Sequence, residues 1–205
     1  MPSPESCPTR RRWLGQALAA TALAVPTLRP ARAQSTAGGS TAAPACPALL
    51  AHTFARLQDD KPQPLCQYAG RVLLVVNTAS YCGYTGQYQG LEALHARYAA
   101  RGLAVLGFPS NDFGQQEPGD AKQIADFCFN TYGVRFPMFA KSRVVGAEAN
   151  ALYRALAQAS GQAPRWNFHK YLVDRSAQTV QSFPSAMAPD DPALVKRIEQ
   201  ALAAG

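Results

Sequence analysis

Val72-Leu73-Leu74-Val75-Val76 is an unbroken apolar run, and Leu103-Ala104-Val105-Leu106-Gly107-Phe108 is a second. Continuous apolar runs of this length are expected of strands covered on both faces. Between them lie a polar turn over residues 77–85 and a helical pattern through Leu91, Leu94 and Tyr98 that ends near Gly102. A strand, a helix and a second strand in this order imply a parallel pair with a right-handed crossover.

Downstream, Pro118-Gly119 marks a turn, and Asp120 with Gln123 three residues later is close to a capping box. The helix it starts carries Ile124, Phe127 and Cys128 on one face, and a third helix holds Leu152 and Leu156. Tyr171-Leu172-Val173 and residues 179–183, separated by a polar turn, form a hairpin pattern. Asp191-Pro192 opens a last helix with Leu194, Val195, Ile198 and Leu202, proline suiting the first helical position. A βαβ unit followed by a ββα unit predicts an α/β protein with a thioredoxin-like fold, a central mixed sheet flanked by helices.

The chain has 205 residues, enough for one good core and too few for two substantial domains. Its first 33 residues read as an address. Arg10-Arg11-Arg12, then Trp13-Leu14, an apolar stretch over residues 17–25 and Ala31-Arg32-Ala33 describe a secretory signal peptide, to be cut after Ala33. Thr9-Arg10-Arg11-Arg12-Trp13-Leu14 also resembles the twin-arginine pattern. Residues 34–45 are a small-residue linker, and residues 46–205 the folded domain. The expected location is the periplasm. The leader carries five of the arginines against one glutamate, so most of the net charge of +7 leaves with it. What remains argues against nucleic acid as a partner, and the apolar stretch is too short for stable membrane insertion.

Export changes the meaning of the five cysteines, because the periplasm is oxidising. Cys7 lies in the leader. Cys46 and Cys66 flank a Gln-, Asp- and Pro-rich segment before the first strong strand, and read as a structural disulfide. The alternative, two unpaired thiols, is out of place in such a compartment.

Cys82 stands on the loop between the first strand and the first helix, where backbone N–H groups and the helix dipole favour a thiolate. Position 85 is Thr85, so the C-x-x-C motif of disulfide oxidoreductases is absent.

Asn77-Thr78-Ala79-Ser80-Tyr81-Cys82-Gly83, then Gly107-Phe108-Pro109-Ser110-Asn111-Asp112-Phe113-Gly114-Gln115-Gln116-Glu117-Pro118-Gly119, then Trp166-Asn167-Phe168 resemble the three signature blocks of the glutathione peroxidase family. They follow the family's order and spacing, and the similarity spans residues 52–202. The resemblance implies a catalytic tetrad of Cys82, Gln116, Trp166 and Asn167. Neutral amide and indole donors aimed at the sulfur and the peroxide would stabilise the thiolate and the charge on the leaving oxygen. On composition alone Trp166 reads as a core aromatic, Asn167 as a turn residue and Gln116 as a solvated loop side chain. The chain departs from the common family pattern at Gly86, Ser110 and Asp112, where many relatives have Pro, Cys and Gln.

The stretch around Cys128 resembles the resolving-cysteine helix of the thioredoxin-dependent members, although its apolar face also suits an ordinary core cysteine. In the family's reduced form the two sulfurs start far apart, so that helix must partly unwind. The implied activity is that of a thiol peroxidase reducing hydrogen peroxide and organic hydroperoxides through a Cys82 sulfenic acid that Cys128 resolves. A thioredoxin-like protein or glutathione would be the reductant. Residues 141–164 lack the insertion through which tetrameric glutathione-using relatives assemble, which points to a monomer and a thioredoxin-like donor. The rival reading is a peroxide sensor or relay passing oxidation to a partner. His52, His95 and His169 show no metal-ligand spacing and there is no Gly-rich phosphate loop, so neither metal nor cofactor is expected.

Overall fold

The computed structural model describes residues 46–204, so the leader and linker expectations lie outside the described residues. The chain begins with a 3₁₀ turn at Ala48–Leu50, a short strand β1 (Thr53–Ala55) and its antiparallel partner β2 (Pro62–Pro64). A second 3₁₀ turn, Leu65–Tyr68, follows. Cys46 and Cys66 are joined by a disulfide with Cα atoms 5.2 Å apart, closing this extension into a loop. Leu50, Leu65 and Tyr68 are thereby held in the core.

The central strand β3 (Val72–Thr78) runs parallel to β4 (Leu103–Pro109), with Val72 opposite Leu103 and Thr78 opposite Pro109. Between them lies α1 (Gln87–Tyr98), extended by a 3₁₀ turn and stopped at Gly102, whose φ of 101° is left-handed. Next come α2 (Ala121–Tyr132), α3 (Ala151–Ser160), the antiparallel strands β5 (Lys170–Val173) and β6 (Val180–Phe183), and α4 (Pro192–Ala203). The sheet order is β4-β3-β5-β6, with β5 antiparallel to β3. This is a mixed sheet flanked by helices, the thioredoxin-like plan.

Every residue of β3 and β4 is buried. Val72, Leu74 and Val76 face α1, α2 and α4, meeting Leu91, Leu94, Ile124 and Ile198. Leu73 and Val75 face the other way, toward α3 and the disulfide-bound extension. Each such side chain contributes about 1.5–3 kcal/mol through burial, and coverage on both faces explains the lack of polar alternation in the sequence. At α2 the capping box is complete: the Gln123 N–H donates to Asp120 Oδ1 (2.8 Å), and the Asp120 N–H donates to Gln123 Oε1 (2.9 Å).

Candidate active site

The turn between β3 and α1 is tied by Thr85. Its hydroxyl accepts from the Cys82 N–H (3.0 Å) and donates to the Ala79 carbonyl (3.0 Å), and its N–H donates to the Cys82 carbonyl (3.0 Å). The residue that rules out C-x-x-C therefore shapes the loop. The Cys82 thiol is reduced and almost buried, and the Tyr84 N–H donates to Sγ at 3.4 Å.

The loop after β4 reverses through left-handed Gly114 (φ 62°) and Gln115 (φ 51°). A side chain at Gln115 tolerates this conformation poorly, so the turn is held by its surroundings. The Gln116 carbonyl accepts from the Tyr81 N–H at 3.0 Å, fastening this loop to the Cys82 turn.

Trp166 and Asn167 arrive just before β5, and Asn77 at the end of β3 clamps their segment twice. Its Nδ2 donates to the Trp166 carbonyl (3.1 Å), and its own carbonyl accepts from the Phe168 N–H (2.6 Å). Phe168 is left-handed at φ 62°, another non-glycine strained position. Lys170, fully buried, donates from Nζ to the Phe168 carbonyl at 2.7 Å, and burial lowers its pKa to about 7.

Within this frame Asn167 Nδ2 donates to Gln116 Oε1 (2.9 Å) and to the Phe113 carbonyl (3.4 Å). Engaging the Gln116 carbonyl oxygen leaves its Nε2 protons free for another acceptor. The Trp166 indole packs on Phe113 with ring centroids 5.8 Å apart and stays partly exposed. Gln116 and Asn167 thus touch directly, Trp166 joins them through Phe113, and the Tyr81–Gln116 bond links all three to the Cys82 turn.

Cys128 is also reduced, and it lies deep on the inner face of α2 within the same core cluster as Cys82. Burial pushes its thiol up to about 11; the Tyr88 hydroxyl opposes that rise and the Glu117 carboxylate adds to it. A cleft of about 370 Å³ reaches it from the side of Leu57, Phe129 and Met138. A second cleft of about 320 Å³ opens beside the Cys82 turn, between Tyr81 and Phe127, whose rings stack at 6.2 Å.

The three departures from the family pattern have different settings, and Asp112 is the one with a structural role. Asp112 accepts from the N–H groups of Val144 (2.6 Å) and Val145 (3.2 Å) and pairs with Arg143, so it braces the loop before α3. Ser110 is buried and accepts from the Asp112 N–H at 3.3 Å. A Cβ at Gly86 meets nothing within 4 Å. Sequence reasoning assigned no role to Thr85, Asn77, Lys170 or the fully buried Glu117. A polar residue immediately after an apolar strand was the available signal for Asn77. Among the described residues no three His, Cys, Asp or Glu side chains converge as a metal set, and no helix is long and apolar enough to cross a membrane.

Residues 51–157 match the family model described as Glutathione peroxidase. The chain is 47% identical over 143 residues to the hydroperoxy fatty acid reductase gpx1 of Synechocystis sp., covering 65% of this chain and 85% of that one. It is 40% identical over 169 residues to the thioredoxin/glutathione peroxidase BtuE of Escherichia coli, covering 71% and 92%. Among solved structures, that of Trgpx in apo form superposes with a TM-score of 0.61 at 31% identity, covering 76% of this chain and 95% of that one.

Proposed function

Since this chain belongs to the glutathione peroxidase family and is a thiol peroxidase, we propose that Cys82 is the sulfur that attacks the peroxide. The thiolate forms a bond to the terminal peroxide oxygen as the O–O bond breaks. Cys82 becomes a sulfenic acid, and the other oxygen leaves as alkoxide or hydroxide and takes a proton to give alcohol or water. Gln116 Nε2 and Trp166 Nε1 supply neutral donors toward the developing charge, and Asn167 Nδ2 orients the Gln116 amide by holding its Oε1. The Tyr84 N–H steadies the sulfur. One observation carries this reading: two segments distant in sequence are fastened to the Cys82 turn by named hydrogen bonds, Tyr81 to Gln116 and Asn167 to Gln116.

Cys128 then resolves the sulfenic acid as an intramolecular disulfide, with α2 opening to bring its buried thiol to Cys82, as the family resemblance implies. A dithiol donor of the thioredoxin type reduces that disulfide, with glutathione as the lesser donor; one relative is named for both. The basic, apolar, Ala-x-Ala leader supports export by the twin-arginine route to the periplasm, where the donor must then also reside. The protein acts as a monomer.

Steady-state consumption of hydrogen peroxide and an organic hydroperoxide, with thioredoxin and glutathione side by side, tests this. Turnover is expected to be faster with thioredoxin and to vanish in Cys82→Ser. Undiminished turnover in that variant, or a single stoichiometric reaction with no cycling, refutes it.

A further inference from the structure

Beneath the Cys82 turn lies a group of buried polar side chains, Thr78, Ser80, Tyr88, Glu117 and Cys128, with the two clefts described above running up to its edges. They come from β3, the turn after it, α1, the loop after β4 and α2, so they lie where the Cys82 segment meets the Cys128 helix. Glu117 is fully buried, and neither of its oxygens has a hydrogen-bond partner. The Ser80 hydroxyl and backbone N–H lie near it and favour the anion, but neither meets hydrogen-bond geometry and burial outweighs both. Lys141 is the nearby cation, but its Nζ donates to the backbone carbonyls of Glu117, Pro118 and Gly119 (3.2, 3.5 and 2.7 Å) instead of the carboxylate. Tyr88 and Cys128 are the other titratable groups facing it, both uncharged near neutral pH.

A carboxylate confined without partners is costly, and burial raises the Glu117 pKa from 4.5 to about 7. Opening α2 to release Cys128 dismantles this enclosure and returns Glu117 to water. The closed helix thus binds the Glu117 proton more tightly than the open one does.

We infer that Glu117 is a positioning residue for the resolving step: protonated, it lets α2 stay closed over Cys128, and ionised, it drives α2 open. This rests on the reading of Cys128 as the resolving thiol. In the step so gated, Cys128 loses its proton and its sulfur attacks the sulfenic sulfur of Cys82. The S–S bond forms, the S–O bond breaks, and the departing hydroxide takes a proton to leave as water. The sign follows from a raised closed-state pKa. Support for closure is full below about 4.5 and is lost as pH rises through about 7. Cys128, at about 11 while buried, adds its own pull toward opening only in more alkaline solution.

Quenched-flow peptide mapping of the reduced protein after one equivalent of peroxide separates the two steps. Wild type and Glu117→Gln should form the Cys82 sulfenic acid at equal rates at every pH. For disulfide formation the wild-type to Glu117→Gln rate ratio should rise about tenfold or more between about pH 5 and pH 8. The thiolate fraction of released Cys128 cancels in that ratio. A flat ratio with disulfide formed overturns the role of Glu117 alone; no Cys82–Cys128 disulfide in wild type overturns the resolving reading and this one with it. Should Glu117→Gln not fold, amide exchange in the reduced wild type decides. Protection of α2 relative to α4 should fall as pH rises toward about 8, and a constant ratio overturns the inference.

Discussion

Asn77→Ala removes a single side chain outside the sulfur's immediate surroundings, yet it should disable the site. Asn77 is fully buried, and its Nδ2 is the donor that holds the Trp166 carbonyl at 3.1 Å. Its backbone carbonyl, which accepts from Phe168 at 2.6 Å, survives the substitution. The loss is thus one buried hydrogen bond, an unsatisfied Trp166 carbonyl and a small cavity. Together these cost about 2–3 kcal/mol of stability. Phe168 is already held in the left-handed region, so the segment relaxes readily once half its clamp is gone. A displacement of about 1 Å in a catalytic donor costs on the order of 10²-fold in rate. Stopped-flow reduction of peroxide by pre-reduced protein, paired with urea unfolding, measures both effects. The expected result is a shifted unfolding midpoint with a drop of about 10- to 100-fold in the peroxide step. A variant that loses the expected stability but keeps its peroxide rate within twofold refutes the claim that Asn77 positions Trp166 and Asn167.

Other perturbations test separate parts of the structure. Cys46→Ala with Cys66→Ala should lower stability by about 3 kcal/mol in urea unfolding while leaving peroxide reduction unchanged, because the bridge ties down an extension on the far sheet face. Lys170→Met should raise stability by up to about 4 kcal/mol near pH 6. That gain should roughly halve by about pH 9, since the native lysine's depressed pKa penalises folding most where it must carry its charge; unfolding curves at both pH values check the trend. Gly107→Ala should cost about 1–3 kcal/mol in thermal unfolding, because a Cβ there would collide with Met138 Sδ and press on Phe136 (3.1 Å).

What was legible in the sequence follows from which interactions are local. β3 and β4 stand out because both faces of each are buried, and α2 announces its start through the local Asp120–Gln123 box. The place of Cys82 on a strand-to-helix turn was legible too. β1 and β2 were missed: they are three residues each, β2 begins and ends in proline, and nothing local marks their pairing. The same limit hid the supporting side chains. Nothing local marks Lys170 or Glu117 as buried, and only the packing of the sheet against its helices encloses them. The direction of Asp112 likewise depends on the loop near Val144, a contact across 32 positions that no periodicity encodes. Gln116, Trp166 and Asn167 became site candidates through family resemblance; their assembly rests on long-range bonds such as Asn167 to Gln116, across 51 positions.

The central claim is that Cys82 receives the peroxide oxygen and Cys128 displaces it as water by forming the disulfide. Sulfenic-acid trapping in the reduced Cys128→Ser protein, read by peptide mass after one equivalent of peroxide, tests it most directly. The expected adduct is on Cys82 and persists, whereas wild type given the same peroxide yields the Cys82–Cys128 disulfide and no lasting adduct. An unmodified Cys82 in Cys128→Ser, or a wild type that accumulates the sulfenic acid without forming the disulfide, would contradict it.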